Sequence, residues 1–153
     1  MAIKNNEAIS TLYDLIEVCR EDQTGFHSAA ENVTDPQLRN LLERLSQRRG
    51  QFIGELQGEV RRLGGDPQHT VGVGAALLRG WINIKSAVMG NDERRILEEC
   101  ERAEDSAVHN YEDALRQSLP SNVMSVVQRQ YSDIREAHDR LHNLSEKART
   151  AKA

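Results

Sequence analysis

Residues 34–67 read TDPQLRNLLERLSQRRGQFIGELQGEVRRLGGDP, and this stretch decides the fold. It opens on Thr34-Asp35-Pro36-Gln37: an N-cap candidate, a proline suited to the first helical turn, and a glutamine three residues after Thr34. Leu38, Leu41, Leu45, Phe52, Leu56, Val60 and Leu63 then recur at helical spacing and share one side of a helix. Gly64-Gly65, with Pro67 beyond, stops it. The spacing predicts a helix over 35–63 with a single apolar stripe, which has to be buried along its length against other helices.

Working outward, Ile9, Leu12, Ile16, Cys19, Phe26 and Ala30 predict a first helix over 6–32. The loop to the second helix is very short, so the two are antiparallel neighbours. Downstream, residues 64–90 form a long connection with many small residues. Within it, Leu77, Leu78, Trp81 and Ile84 predict a short helix over about 75–88. Asn91-Asp92-Glu93 caps a third helix over 91–118, striped by Leu97, Cys100, Glu104, Val108, Tyr111 and Leu115. Ser118-Leu119-Pro120-Ser121 breaks the chain. A fourth helix over 121–148 then carries Val123, Val127, Tyr131, Ile134, His138, Leu141 and Leu144. The expected fold is all-α: one four-helix-bundle domain over 1–153, its antiparallel hairpins joined by a long crossover containing a short helix. The hairpins share no residue pattern that would indicate a duplication.

Composition agrees with one soluble domain: 153 residues, 38% hydrophobic, 29% charged, 4% aromatic and only 3 prolines. The net charge is −4, and Arg48-Arg49 and Arg61-Arg62 are too short to track a phosphate backbone, so no nucleic-acid partner is expected. The weakly polar run Val71–Leu78 falls far short of the ~20 residues of a membrane span, so no membrane partner is expected either. The polar start at Met1–Glu7 reads as no signal peptide. Cys19 and Cys100, without CxxC spacing, read as reduced core residues of a cytoplasmic protein.

Polar residues interrupt the core stripes. Glu104 and His138 stand where apolar residues are predicted, Asp22 lies one turn beyond Cys19, and Arg48 and Arg49 sit between Leu45 and Phe52. With a full-length crossover, these positions lie at heights that agree within about 5 Å at a rise of 1.5 Å per residue. Asp22, Arg48, Arg49, Glu104 and His138 are therefore expected to form one mid-bundle layer. One reading is a buried network in which Arg48 or Arg49 satisfies Glu104. The other is a metal site assembled from Glu101, Glu104, His138 and His142. Carboxylate-bridged di-iron bundles use Glu-x-x-His on two helices, and no Glu-x-x-His occurs here. Asp139-x-x-His142 and Glu136-x-His138 are the nearest matches, and an arginine at this height repels a metal ion.

His27, His69 and His109 lack ligand-spaced companions and read as surface residues, and Tyr13, Tyr111 and Tyr131 as packing residues with bonded hydroxyls. Gly-x-Ser-x-Gly, P-loop and dinucleotide fingerprints do not occur, and no catalytic or cofactor-binding residue is assigned. Gly50, Gly54 and Gly58 recur every four residues on the second helix, away from Phe52 and Leu56. Each costs roughly 1 kcal/mol relative to alanine, so this face is expected to be covered, by the crossover or by a second subunit in a homo-oligomer.

Across nearly its whole length the chain resembles a bacterial family of four-helix bundles in the ferritin-like class, a domain of unknown function. The resemblance is carried by Leu12-Tyr13-Asp14-Leu15-Ile16-Glu17-Val18-Cys19, Gly25-Phe26, Ala29-Ala30-Glu31, Arg49-Gly50-Gln51-Phe52, Leu63-Gly64-Gly65 and Arg79-Gly80-Trp81. Leu97-Glu98-Glu99-Cys100-Glu101-Arg102-Ala103-Glu104-Asp105 continues it. It implies the ferritin-like fold, whose relatives elsewhere bind iron or manganese. Two expectations follow. The first is a non-catalytic bundle that self-associates or binds a partner, in a stress-response context implied by the family type. The alternative binds Fe or Mn through Glu101, Glu104, His138 and His142, with oxidase-type redox chemistry. No cofactor at all is equally open.

Overall fold

Caps and stops set the helix ends. The computed structural model describes residues 2–69, 81 and 83–151. Its helices are α1 (Ala2–Glu31), α2 (Pro36–Arg62), α3 (Ile84–Met89), α4 (Glu93–Leu115) and α5 (Ser121–Ala151). α1 starts four residues before the expected Asn6, and α4 ends three residues before the expected Ser118. The cap of α2 is Asp35 rather than Thr34: its Oδ1 accepts from the Gln37 N–H at 3.0 Å, with Pro36 next in the first turn. At the other end Gly64 takes φ +87°, its N–H donates to Arg61 O at 3.0 Å, and the Gly65 N–H donates to Val60 O at 2.9 Å. That pattern closes the last turn and needs a residue at ease with positive φ. Asp92 caps α4 by accepting from the Arg94 and Arg95 N–H groups.

α1 packs on α2 and α4 on α5, and the two hairpins meet along α1–α4 and α2–α5. α2 and α4 therefore face each other across a diagonal. Thr34 Oγ1 donates to Glu93 Oε1 at 2.6 Å, which puts the α1–α2 loop and the start of α4 at one end of the bundle. Tyr13 OH donates to Asp66 O at 2.9 Å at the opposite end, where α2 stops. Asp66 and Glu93 thus stand at opposite ends of the bundle. Of the expected short helix over 75–88, residues 75–80 and 82 lie outside the described residues. The described part runs as α3, which packs on α4 and α1.

The core falls into two apolar halves. One holds Phe26, Leu42, Trp81, Ile96, Cys100 and Leu141, and the other Leu12, Cys19, Phe52, Leu56, Tyr111 and Ile134. Each fully buried Leu, Ile or Phe stabilises the fold by about 1.5–3 kcal/mol, so both halves hold the hairpins together. A charged layer lies between them.

Candidate functional site

That layer is built from one side chain on each of three helices. Arg49 of α2 is 1% exposed, Asp22 of α1 4% and Glu104 of α4 0%. Arg49 Nε donates to Asp22 Oδ2 at 3.2 Å, and its Nη2 donates to Glu104 Oε1. The guanidinium also lies over two rings, 5.5 Å from the centre of Phe26 and 5.7 Å from that of Phe52. One ring belongs to each half of the core, so Arg49 is the joint between them. Such a planar, weakly hydrated cation suits both contacts. Asp22 Oδ1 accepts a further hydrogen bond, 3.0 Å long, from Trp81 Nε1. Glu104 Oε2 is buried without a hydrogen-bond partner.

The charges do not balance: two carboxyls share one guanidinium. Burial pushes the Glu104 carboxyl up to about 7, against the attraction of Arg49. Asp22 is raised as well, again by burial acting against Arg49. Burial alone would discharge Arg49, but Glu104 and Asp22 outweigh it and hold the guanidinium charged. The layer thus binds a proton readily near neutral pH.

A second buried chain of polar groups begins beside it. The Cys19 thiol and the Tyr111 hydroxyl are 3.3 Å apart, and Tyr111 OH donates to Gln130 Oε1 at 2.7 Å. Gln130 Nε2 donates to Glu55 Oε1 at 3.0 Å and to Phe52 O at 3.3 Å. Burial pushes the Cys19 thiol up to about 12, so it is a neutral thiol and not a nucleophile.

Two residues assigned to the layer lie outside it. Arg48 is an exposed residue that donates to Asp133 Oδ2 at 2.6 Å and to Gln51 Oε1 at 2.7 Å. One residue on from it, a helix has turned by about 100°. His138 lies at the α4–α5 surface, its Nε2 on Asp105 Oδ1 and its Nδ1 3.3 Å from Asp139 Oδ1. Burial lowers its pKa, but Asp139 and Asp105 together raise it above the ordinary histidine value.

The proposed ligands Glu101, Glu104, His138 and His142 are likewise divided. Glu104 faces the bundle axis and Arg49, while His142 Nδ1 lies 2.6 Å from Glu101 Oε1 at the surface. Among the described residues, no group of three or more His, Cys, Asp or Glu side chains could hold a metal ion. Among the described residues the glycine face is covered only at Gly50, where a Cβ would meet Gln23 Nε2 at 2.7 Å, whereas a Cβ on Gly54 or Gly58 would meet nothing within 4 Å.

The sequence places Trp81 on the short helix but not in the charged layer, and it does not single out Gln130. Gln130 stands one turn after Val127 and one before Ile134, which marks it as a core position. Trp81 had a signal in Gly25, a glycine in the middle of α1 whose added Cβ would lie 2.3 Å from the indole.

A family model described as "Domain of unknown function (DUF2383)" matches residues 7–117. No curated protein matches the chain. Among solved structures, it is similar to a two-domain protein from Anabaena variabilis that contains DJ-1/ThiJ/PfpI-like and ferritin-like domains. Identity is 13% and the TM-score 0.78, over 96% of this chain and 38% of that one. The fold is ferritin-like and all-helical, and this chain spans well under half of that protein's length.

For the metal expected as the alternative, the mid-bundle donor set does not fit. At mid-bundle one oxygen of each carboxyl, Asp22 Oδ2 and Glu104 Oε1, accepts from a fixed positive charge, and the Asp22 oxygen left over holds Trp81. A divalent ion placed there meets the guanidinium at close range in a medium that screens charge poorly.

Proposed function

This chain belongs to the DUF2383 family, a domain of unknown function, and from its own side chains we propose a non-catalytic ferritin-like bundle with a structural or partner-binding role. The observation that carries this reading is the buried guanidinium of Arg49 in the mid-bundle layer, bonded to Asp22 and Glu104. A side chain that spans the layer and fixes its two carboxyls acts as an internal cross-link between α1, α2 and α4.

The reading extends to the setting. No helix among the described residues is long and apolar enough to cross a membrane. We place the protein in the bacterial cytoplasm, without nucleic-acid or membrane partners, in the stress-response context of its family type. Self-association would cover Gly54 and Gly58, which no side chain among the described residues reaches, and sedimentation equilibrium tests it.

The deciding experiment is metal content of protein purified without a chelating tag, then titration with Fe(II), Mn(II) and Zn(II) read as Tm. A folded-state ligand at a hundredfold excess over Kd stabilises by ~2.7 kcal/mol, which a melt detects. The expected result is no stoichiometric metal and an unmoved Tm. Stoichiometric metal with a raised Tm, both lost in Glu104→Ala, would overturn the reading in favour of an Fe or Mn site.

A further inference from the structure

Between α2 and α5, at the end where α4 begins, the helices leave a groove of 650 Å³. That lies within the ~300–1,000 Å³ of small-molecule sites. Its floor is Leu38, Leu41, Leu97 and Leu144. Its rim carries Arg44, Arg94, Arg140 and Lys147 against only Asp35 and Glu93. Both acids are already engaged, Asp35 by the Gln37 N–H and Glu93 by Thr34. Arg94 is paired with Glu98 at 3.4 Å. Among the described residues, Arg44, Arg140 and Lys147 have no ion-pair partner. A chain of net charge −4 thus rings one apolar groove with uncommitted cations.

The complement of such a groove is an aliphatic body with an anionic head. We propose that it binds a free aliphatic carboxylate, the alkyl chain on the four leucines and the carboxylate among Arg44, Arg140 and Lys147. Leu38, Leu41 and Leu97 are each at most 8% exposed, so the floor is a recessed slot. A slender alkyl chain suits such a recessed floor better than a partner helix about 10 Å across. A bilayer surface needs protruding apolar side chains. The exposed large hydrophobic residue among those described is Met89, which lies on α3 and not on this groove. This goes beyond the structural role of the buried layer and does not depend on it.

The test is titration of the full chain with monomeric decanoate, followed by methyl NMR. Saturable shifts are expected at the Leu38, Leu41, Leu97 and Leu144 methyls. Decanol should bind at least tenfold more weakly, and the exposed charge reversal Arg140→Glu/Lys147→Glu should weaken decanoate at least tenfold while leaving the Tm of the unliganded protein unchanged. Added salt should weaken decanoate and leave decanol unaffected. Decanol binding as tightly as decanoate would overturn the proposal, as would shifts spread away from the groove. Binding to phosphatidylglycerol vesicles without binding of decanoate would also overturn it, in favour of a membrane surface.

Discussion

Arg49 of α2 and Glu104 of α4 are hydrogen-bonded across the diagonal of the bundle, joining two helices that otherwise barely meet. Removing one partner of a buried ion pair strands the other, at a cost of about 3–5 kcal/mol. Arg49→Met strands two, Asp22 and Glu104. It should lower the free energy of unfolding by at least that amount in urea denaturation. Arg49→Met/Glu104→Leu should recover part of the loss, because the remaining Asp22 still holds Trp81. A single variant that loses less than ~1 kcal/mol, the ordinary cost of a surface pair, would show that the layer does not hold the bundle together.

Proton uptake at Glu104 sets a pH dependence. Burial raises Glu104 from the ordinary 4.5 to about 7 in the folded chain. Between those values the folded state holds a proton that the unfolded state has lost. The contribution of Glu104 is therefore complete below pH 4.5 and is lost as pH rises through 7, a change on the order of 3 kcal/mol for a fully buried group. His138, also raised, adds a loss in the same direction as pH rises past its ordinary 6.5. Glu93 runs the other way: bonds from Thr34 and Asp35 lower its pKa, so its contribution is present above 4.5 and lost on acidification. Denaturation at pH 4.5, 5.5, 6.5 and 7.5 should show Glu104→Gln flattening the decline towards neutral pH. Glu93→Gln should instead weaken the protein mainly at the upper end of that series. Profiles of wild type and Glu104→Gln that run parallel would refute proton uptake at Glu104.

Trp81 and Gly25 give a local test with its own optical signal. The indole sits so close over α1 that a Cβ at residue 25 would come 2.3 Å from it, and it meets Phe26 edge-on at 5.0 Å between ring centres. Gly25→Ala must displace the tryptophan and break its bond to Asp22, an overpacking change that costs about 1–3 kcal/mol. Since Trp81 is the only tryptophan, intrinsic fluorescence reports on it alone. A red-shifted emission with a lowered Tm is expected. An unchanged spectrum would mean that the indole is not seated on Gly25.

What the sequence conveyed, and what it withheld, follows from helix geometry. Gly64-Gly65 and Pro67 mark the end of α2, because positive φ and a missing N–H are local requirements visible in residue type. A rise of 1.5 Å per residue is enough to set Asp22, Arg49 and Glu104 at one height. Rotation is harder to read. Between Leu45 and Phe52 a seven-residue step admits either 48 or 49 to the stripe, and the structure puts Arg49 inside and Arg48 on Asp133. Between Ile134 and Leu141 the same step admits 137 or 138. There Ala137 is the core residue and His138 pairs with Asp105 at the surface. The four proposed ligands are divided for the same reason, since Glu101 meets His142 and Glu104 meets Arg49 although they are three residues apart. The contact of Trp81 with α1 spans more than fifty residues, and Gly25 marks a close approach there without naming the partner.

The Tyr111–Gln130 pair offers the last prediction, because both members are buried and each loses a hydrogen-bond partner without the other. Tyr111 OH is the donor to Gln130 Oε1. Tyr111→Phe strands that oxygen and also removes the partner of the Cys19 thiol. An unsatisfied buried polar group costs about 1–3 kcal/mol, more than the bond itself contributes. Gln130→Leu in turn removes the acceptor of Tyr111 and frees Glu55, which keeps Arg129 at 2.8 Å. The double variant exchanges the bond for apolar surface and should lose clearly less than the two single losses added together. In a double-mutant cycle the expected coupling is about 0.5–3 kcal/mol. Additive losses would mean that the hydroxyl and the amide act independently, and that the polar chain from Cys19 to Glu55 does not operate as one unit.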